Sequence, residues 1–514
     1  MPHDGRAERG AAVVGVSSDP RPFPPGEYPV VVVGSGPGGL QISYSLSRLG
    51  VRHALISADD AVGGMFRRWP FFQRLLSWTK PYVQFERTTR EFERYDWNSL
   101  IADEPEHRGL ITGTMDGSSN YPSRPEMERS LAGFAERTGI QVRFGCAWTA
   151  TRRDGDRFVL ETSDGEYRCQ AAVFAVGVAE PWRPAMPGIE LAAHYAETRP
   201  VDTYASRRVF LIGKENSAFE LATGFLPWAR QLILASPSPT KLSITTNSLL
   251  GVRARYVQPY EDHVIGGGGV VLLNASIEAI ERSGEGFRVR TRQSDGAGQL
   301  VFEVDDVIAA TGFTAPIRDL PGLGVATVGR NKLPAQTGLW ESASVPGIYF
   351  GGTIHQASPG LRKHGMPSNS GGVNGHRYNG RILARHIART HFGIAPERAV
   401  LRPGEVIPLL LHELTNGPEL WHQKAYLARV FAPDGSGGIV DHGVSPLGFF
   451  LDRGGADAIA ATIEENAQGS IYPCLYLRRG GEVTEHVLPP NALHDFRTAE
   501  NERALAELVR PLVG

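Results

Sequence analysis

The 514 residues, 41% hydrophobic and 21% charged, are too many for one core of ordinary size, so two or three domains are expected. The 53 basic and 55 acidic residues are interspersed, and no basic arm offers nucleic acid a binding face. The three cysteines, Cys146, Cys169 and Cys474, are far apart and form no Cys-x-x-Cys, which argues against a redox disulfide and against a disulfide-rich secreted domain.

Residues 1–27 carry charges and prolines but no long apolar run, which reads as a flexible lead and not as a secretory signal. No stretch approaches the ~20 apolar residues that span a bilayer, so a soluble, cytoplasmic protein without a membrane partner is expected. Val30 to Val33 then form a short apolar strand. Gly34-Ser35-Gly36-Pro37-Gly38-Gly39 turns it directly into a helix carrying Leu40, Ile42, Leu46 and Leu49. This is G-x-G-x-x-G in its required context of strand, tight turn and helix. Gly34 allows the turn, Gly36 lets a pyrophosphate approach the backbone, and Gly39 lets helix and strand pack closely, with the helix amino terminus facing the anion. The next strand, Val51 to Ala58, ends at Ser57 where an acid commonly meets a ribose, with Asp59 and Asp60 just beyond.

Gly63-Gly64-Met65-Phe66 leads into an aromatic and basic stretch, Arg67 to Arg90, with Trp69, Phe71, Phe72, Gln73, Trp78 and Lys80. Its irregular pattern predicts a partly buried loop or broken helix that either floors a flat ring or fills the core. Ser123 and Glu126 are spaced as a capping box for a helix over 126–138, and Gly139 to Gly145 alternates as a strand would. Arg157 to Thr162 and Glu166 to Ala171 flank Asp164-Gly165 as a hairpin. Ala171 to Gly177 is a buried strand ending in glycine.

A second unit of the same kind starts at Arg208: strand Val209 to Ile212, turn Gly213-Lys214-Glu215-Asn216-Ser217-Ala218, then helix. Such an internal repeat points to two dinucleotides facing one another. Glu215 stands where the middle glycine belongs and brings bulk and negative charge toward a pyrophosphate, so nicotinamide binding at Gly213, Asn216 and Ser217 competes with a unit that has lost it. Residues 240–269 read as a mobile insertion or a surface loop. The chain returns through Val307 to Phe313, with Gly312 a further cofactor-contact candidate, and then Ile348 to Thr353 meets paired glycines. Gly371-Gly372 open another helix, and the loop before it holds His355, Gln356, Arg362, Lys363, His364 and Asn369. Beyond about residue 395 the apolar runs change spacing, reading as an appended domain with a helical tail.

GSGPGG at Gly34, FAVG at Phe174, NSAFE at Asn216, ATGF at Ala310, and YFGGT followed by SGGVNGHRY together resemble the two-dinucleotide flavoprotein superfamily of flavin monooxygenases and pyridine-nucleotide reductases over residues 28–390. The NSAFE, Arg362-Lys363 and SGGVNGHRY segments are most similar to FAD-dependent oxidoreductase domain proteins and their bacterial relatives. The resemblance implies an α/β fold of two Rossmann-like three-layer domains, the second inserted in the first, plus a small C-terminal α+β domain. Residues 28–195 and 305–392 would bind FAD, 196–304 NADPH or NADH, and 393–514 would form the appended domain. It places the FAD pyrophosphate on Gly34, Ser35, Gly36, Pro37, Gly38 and Gly39, the ribose at Ser57, and further flavin contacts at Gly64, Met65, Gly352, Thr353, Gly372 and Val373. Thr353 replaces the acid of the family's late Gly-Asp pair.

Without a cysteine pair the expected acceptor is molecular oxygen. A C4a-peroxyflavin needs a dry pocket and hydrogen-bond donors, so the expected function is an NAD(P)H-driven monooxygenase hydroxylating an amine or amino acid, or inserting oxygen beside a carbonyl, in bacterial secondary metabolism. Trp69, Gln73, Trp78 and Lys80 are candidates for the wall near the isoalloxazine. Arg124, Lys363 and His364 are candidates for holding an anion, and His355 for exchanging a proton, each against a packing role. No histidine constellation points to a metal. A nicotinamide-independent oxidase, dehydrogenase or redox-neutral flavoenzyme and a noncatalytic scaffold are the competing readings, and a homodimer is an open possibility.

Overall fold

Three sheets organise the computed structural model, which describes residues 19–68, 74–246, 251–329, 331–358, 360, 363 and 368–513. Trp69, Phe71, Phe72, Gln73, Arg362 and His364, and most of the 1–27 lead, lie outside the described residues. The first sheet is parallel, in the order Ile348–Phe350, Ala171–Phe174, Val30–Val33, His53–Ile56. Alternation explains why its second-from-edge strand is all valine. Val30 and Val32 pack with Leu40, Ile42 and Leu46 of helix α1 (Pro37–Arg48) on one face, while Val31 and Val33 pack with Trp148, Phe174 and Phe350 on the other. Each such buried valine contributes roughly 1.5–3 kcal/mol relative to exposure. Helix α2 (Arg124–Arg137) begins with the capping box of Ser123 and Glu126. The hairpin forms as expected, Arg157–Thr162 against Gly165–Cys169.

The second sheet has seven strands and reaches from Ala193 to Val304 and back to Asp306–Ala309. Its interior strand Arg208–Ile212 again serves two faces: Val209 and Leu211 meet Phe219, Ala222 and Phe225 of helix α3 (Asn216–Phe225), and Phe210 and Ile212 meet Ile280, Phe287 and Val289. A single turn, α4 (Ser243–Thr246), precedes helix α5 (Ala254–Ile265), whose Tyr260 packs edge-on to Phe219 at 5.2 Å between ring centroids. The long helix α6 (Val373–Phe392) lies against α1 on the first unit.

The last 110 or so residues form a six-stranded sheet covered on one face by α7 (Pro403–Asn416) and by α10 (Ala499–Val513), with α8 (Pro418–His422) and α9 (Leu447–Asp452) between. Charge fixes this region to the first unit: Arg90 reaches Glu413 at 2.7 Å and Glu419 at 2.6 Å, and the Arg94 guanidinium lies 3.6 Å from the Trp421 ring centroid. Among the described residues no helix is long and apolar enough to cross a membrane.

Two expectations fail. Gly139 to Gly145 is not a strand: both glycines have positive φ (+68° and +66°) and turn the chain, leaving one bridge from Arg143 to Ile56. The described part of 240–269 is not a bare loop, because α5 buries Tyr256 and Tyr260 against the second unit.

Candidate active site

The glycine turn is shaped by contacts between main chains. Gly34 sits at φ +108°, and a Cβ there would lie 2.5 Å from the Ala175 carbonyl oxygen. A Cβ at Gly39 would lie 1.8 Å from the Gly34 oxygen, and one at Gly38 would lie 2.3 Å from the Gly352 Cα. All three methyls are excluded by backbone, so the late Gly352 segment and α1 touch. Gly36 differs: the nearest atom to its Cβ would be Gly64 Cα at 4.0 Å, and the residue faces a cavity of about 970 Å³. Pro37 occupies the first helical turn without an orphaned amide, and the remaining free amides of α1 favour an anion there. This cradle, open at Gly36 where no side chain stands between the backbone and the cavity, fits the diphosphate of a dinucleotide.

The cavity wall continues along Ser57, Asp59, Gly64, Met65 and Arg68. Ser35 donates a hydrogen bond to Ser57 at 2.8 Å, and the Asp59 amide donates to Ser57 at 3.2 Å. Arg68 pairs with Asp59 at 2.9 Å. An acid is therefore present at the edge expected for a ribose, two residues beyond the strand-end serine. Gly352, Thr353, Gly372 and Val373 line it as well, Gly352 directly against Gly38, and so do Asn374, His376 and Tyr426. Arg377, fully buried, donates to the Ser99, Glu93 and Asp96 carbonyls at 2.6, 3.0 and 2.7 Å. It thereby holds the segment that presents Trp97 to the cavity. The same cavity reaches Asn216, Ser217, Glu220 and Arg253 of the second unit. Asn216 accepts from the Arg253 amide and donates to the Gly251 carbonyl, both at 3.1 Å, fixing where α5 starts and hence where Arg253 stands.

Several predicted residues lie elsewhere. Arg124 donates to the Arg67 carbonyl at 3.0 Å and approaches Glu128 at 3.7 Å, outside the cavity lining. His355 is fully buried, its Nε2 bonded to the Phe350 carbonyl at 2.7 Å and its ring beside Trp340. Burial pushes its pKa down to about 3, so it is neutral and cannot serve as the proton exchanger at ordinary pH. Lys363 is bound by Glu464 at 2.7 Å, by Glu485 and by Tyr476, and these acids hold its ammonium pKa above the ordinary lysine value against the opposing effect of burial. That ammonium occupies the centre of the Glu464, Cys474 and Glu485 cluster, which would otherwise have metal-ligand spacing. Trp78 stands behind the wall, 5.1 Å from Trp97 between centroids, and Lys80 is exposed. Gly213 and Gly312 do not line the cavity. Gly213 is held at φ +129°, where a Cβ would lie 2.6 Å from the Ala310 oxygen. Gly312 accepts from His194 and the Trp182 amide, each at 3.0 Å. Glu215 is exposed at the start of α3 and its side chain does not enter the cavity wall. Gln73 and His364 lie outside the described residues.

Sequence reasoning missed Trp97, Tyr195, Glu220, Arg253 and Tyr426, all on the wall. Glu220 stood inside the NSAFE segment and was the one accessible signal. All three cysteines are buried, and none lines the cavity.

A family model described as pyridine nucleotide-disulphide oxidoreductase matches residues 31–352. A mouse protein named FAD-dependent oxidoreductase domain-containing protein 2 is 28% identical over 401 residues, 71% of this chain and 58% of the relative's length, so the chain spans under two thirds of that protein. Among solved structures, the bacillithiol disulfide reductase Bdr of Staphylococcus aureus superposes with a TM-score of 0.55 at 15% identity, covering 70% of this chain and 98% of the other. The Kutzneria ornithine N-hydroxylase does so with 0.53 at 16% identity, covering 71% and 99%. At these identities the structures share the fold. With the matched model spanning well over half of the residues and the glycine cradle in place, the chain belongs to the pyridine nucleotide-disulphide oxidoreductase family.

Proposed function

We propose that this protein is an FAD-dependent, NAD(P)H-driven monooxygenase of a small molecule, with nitrogen hydroxylation of an amine or amino acid as its reaction class. One observation carries the reading: a single cavity runs from the Gly34 turn to Asn216 and Ser217 at the second helix start, and no cysteine stands on its wall. When bound, FAD supplies an electron relay from nicotinamide to oxygen. In this reading Gly36, Gly38 and the α1 amides hold the diphosphate, Ser57 and Asp59 the ribose, and Gly372 and Val373 the far edge of the flavin ring. Asn216 and Ser217 receive the nicotinamide dinucleotide. Trp97, Tyr195 and Phe313 keep much of the wall apolar, which limits water beside the reacting atoms.

The test is an anaerobic titration of flavin-loaded protein with NADPH and with NADH, followed by admission of oxygen in the presence of a panel of amines and amino acids. Bleaching by one nicotinamide, followed by oxygen consumption coupled to a hydroxylated product, is the expected result. Coupled reduction of an added disulfide in place of oxygen use would overturn the reading. A second reading, a flavin oxidase that does not use nicotinamide, is favoured by Glu215 at the middle-glycine position. It predicts no bleaching by either nicotinamide.

A further inference from the structure

Glu220 belongs to none of the cofactor contacts assigned above, yet it lines the cavity near Asn216, Ser217 and Arg253. It is half-buried, and its exposed part faces that space. The Tyr195 hydroxyl donates to one of its oxygens and the Tyr256 hydroxyl to the other, each at 3.3 Å. Tyr256 is in turn oriented by Arg255, whose guanidinium donates to its hydroxyl at 2.8 Å and to the Leu75 carbonyl at 2.7 Å, and stacks over Tyr121. The charged and titratable groups facing this carboxyl are therefore Tyr195 from the segment before the strand Arg208–Ile212, Tyr256 and Arg255 from α5, and, along the same wall, Arg253 and Arg74. No lysine or arginine forms an ion pair with Glu220 among the described residues.

We propose that Glu220 is the proton carrier of this cavity, releasing a proton from its carboxyl to the reacting molecule and regaining one from solvent. The geometry gives it both requirements: one side open to the space between the two dinucleotide turns, and two hydroxyl donors already placed to receive the carboxylate. Burial pushes its pKa up to about 8, against the lowering effect of the Tyr256 and Tyr195 hydrogen bonds and of Arg255. The acid thus holds its proton at neutral pH without being locked in that state.

The assignment of the proton's destination rests on the monooxygenase reading. In that reaction NAD(P)H, oxygen, substrate and one proton become NAD(P)⁺, oxygenated substrate and water. The oxygen–oxygen bond breaks, one oxygen forms a bond to the substrate, and the other leaves as water. Two electrons and one hydrogen of that water come from the nicotinamide hydride, and the second hydrogen comes as the proton from Glu220, which becomes a carboxylate until solvent restores it.

Infrared difference spectra of the flavin-loaded protein, recorded against pH, test the group itself. A protonated-carboxyl band lost with a midpoint near pH 8 is expected, absent in Glu220→Gln and moved to higher pH in Tyr256→Phe, where the anion loses a donor. The rate of oxygen-dependent turnover tests its use: Glu220→Gln should be roughly 100-fold slower and lose the wild-type pH dependence, while its rate of anaerobic flavin reduction stays within a few fold. Survival of the titrating band in Glu220→Gln, or an unchanged turnover rate and pH profile, overturns the proposal. If neither nicotinamide bleaches the flavin, the monooxygenase reading fails, whereas the infrared titration still decides whether Glu220 carries the proton.

Discussion

The two glycine turns share a backbone but not a purpose in packing. Gly34 and Gly213 have the same left-handed conformation, φ +108° and +129°, and each is pressed against the carbonyl that ends the neighbouring strand, Ala175 or Ala310. The next residue in each turn points inward, Ser35 to Ser57 and Lys214 to Asn274. After that they diverge. In the first turn Gly38 lies against Gly352 and Gly39 against Gly34, whereas Ser217 and Ala218 hold the equivalent positions in the second. The first turn is met by a late crossing of its own chain in main-chain contact at Gly38, whereas the second meets its later chain, Gly251 and Arg253, through the Asn216 side chain and keeps ordinary side chains. A strand, a positive-φ glycine and a helix are thus sufficient for the architecture, and the additional glycines report how closely another main chain approaches.

The sharpest way to break this comparison is to exchange the small residues at the matching sites. Gly39→Ala places a methyl 1.8 Å from a carbonyl oxygen, so strand and helix must separate at a cost of about 1–3 kcal/mol or more. The variant is expected to purify with most of its flavin lost and a lower melting temperature. Ala218→Gly, its counterpart, only removes a methyl from a helix, costs about 1 kcal/mol and should keep the flavin. Flavin absorbance per protein, measured on both, decides. Full flavin in Gly39→Ala would mean that the contact with Gly34 relaxes freely and that the first turn is no more constrained than the second.

Buried titratable groups in the two units give opposite pH dependences that can be measured separately. In the first, His355 after the Gly352 turn and His376 on α6 are pushed down to about 3 by burial, from an ordinary value of 6.5. Between pH 6.5 and 3 the unfolded chain takes up protons that the folded chain refuses, so stability is lost as pH falls, by up to about 1.4 kcal/mol per pH unit for each histidine. Glu220 in the second unit is raised from 4.5 to about 8. Here the folded chain keeps a proton that the unfolded chain releases, so stability is lost as pH rises from 4.5 to 8 and is flat above. Melting temperatures across pH 4 to 9 should therefore show His376→Asn gaining on the wild type below pH 6.5, and Glu220→Gln gaining on it as pH climbs toward 8. Parallel curves for all three proteins would remove the electrostatic half of the comparison.

Both units were readable from residues 30–50 and 208–235 because each condition was local: an apolar strand, a turn residue that must be glycine, and a helix with one apolar face. Of the site residues defined by local chain, Gly34, Gly36, Pro37, Gly38, Ser57, Asn216 and Ser217 line the cavity, whereas Ser35 and Gly39 do not. The polar candidates fared differently because chemistry-bearing side chains take the nearest partner, and that partner was distant in sequence. Lys363 found Glu464 and Glu485 across the appended sheet, and His355 found a backbone carbonyl. Tyr426 and Arg253 reach the wall through tertiary contacts alone: Tyr426 is held by the Trp340 indole at 3.1 Å and by Ser358, Arg253 by the register of Asn216. No spacing rule within either segment encodes those meetings.

The smallest effect concerns Glu215, the residue that most weakens the second fingerprint on paper. Its side chain is exposed at the start of α3 and outside the cavity lining, so Glu215→Gly removes no packing. The added backbone freedom costs a few tenths of a kcal/mol at a helix cap, and the loss of one exposed negative charge beside an incoming pyrophosphate is worth about the same in the opposite direction. Flavin content and melting temperature should stay at wild-type values, and the nicotinamide concentration that half-saturates flavin reduction should fall by about two- to threefold, less at high salt. A fall of a hundredfold would mean instead that the carboxylate blocks the site, and that the second turn has drifted from dinucleotide binding much further than its backbone has.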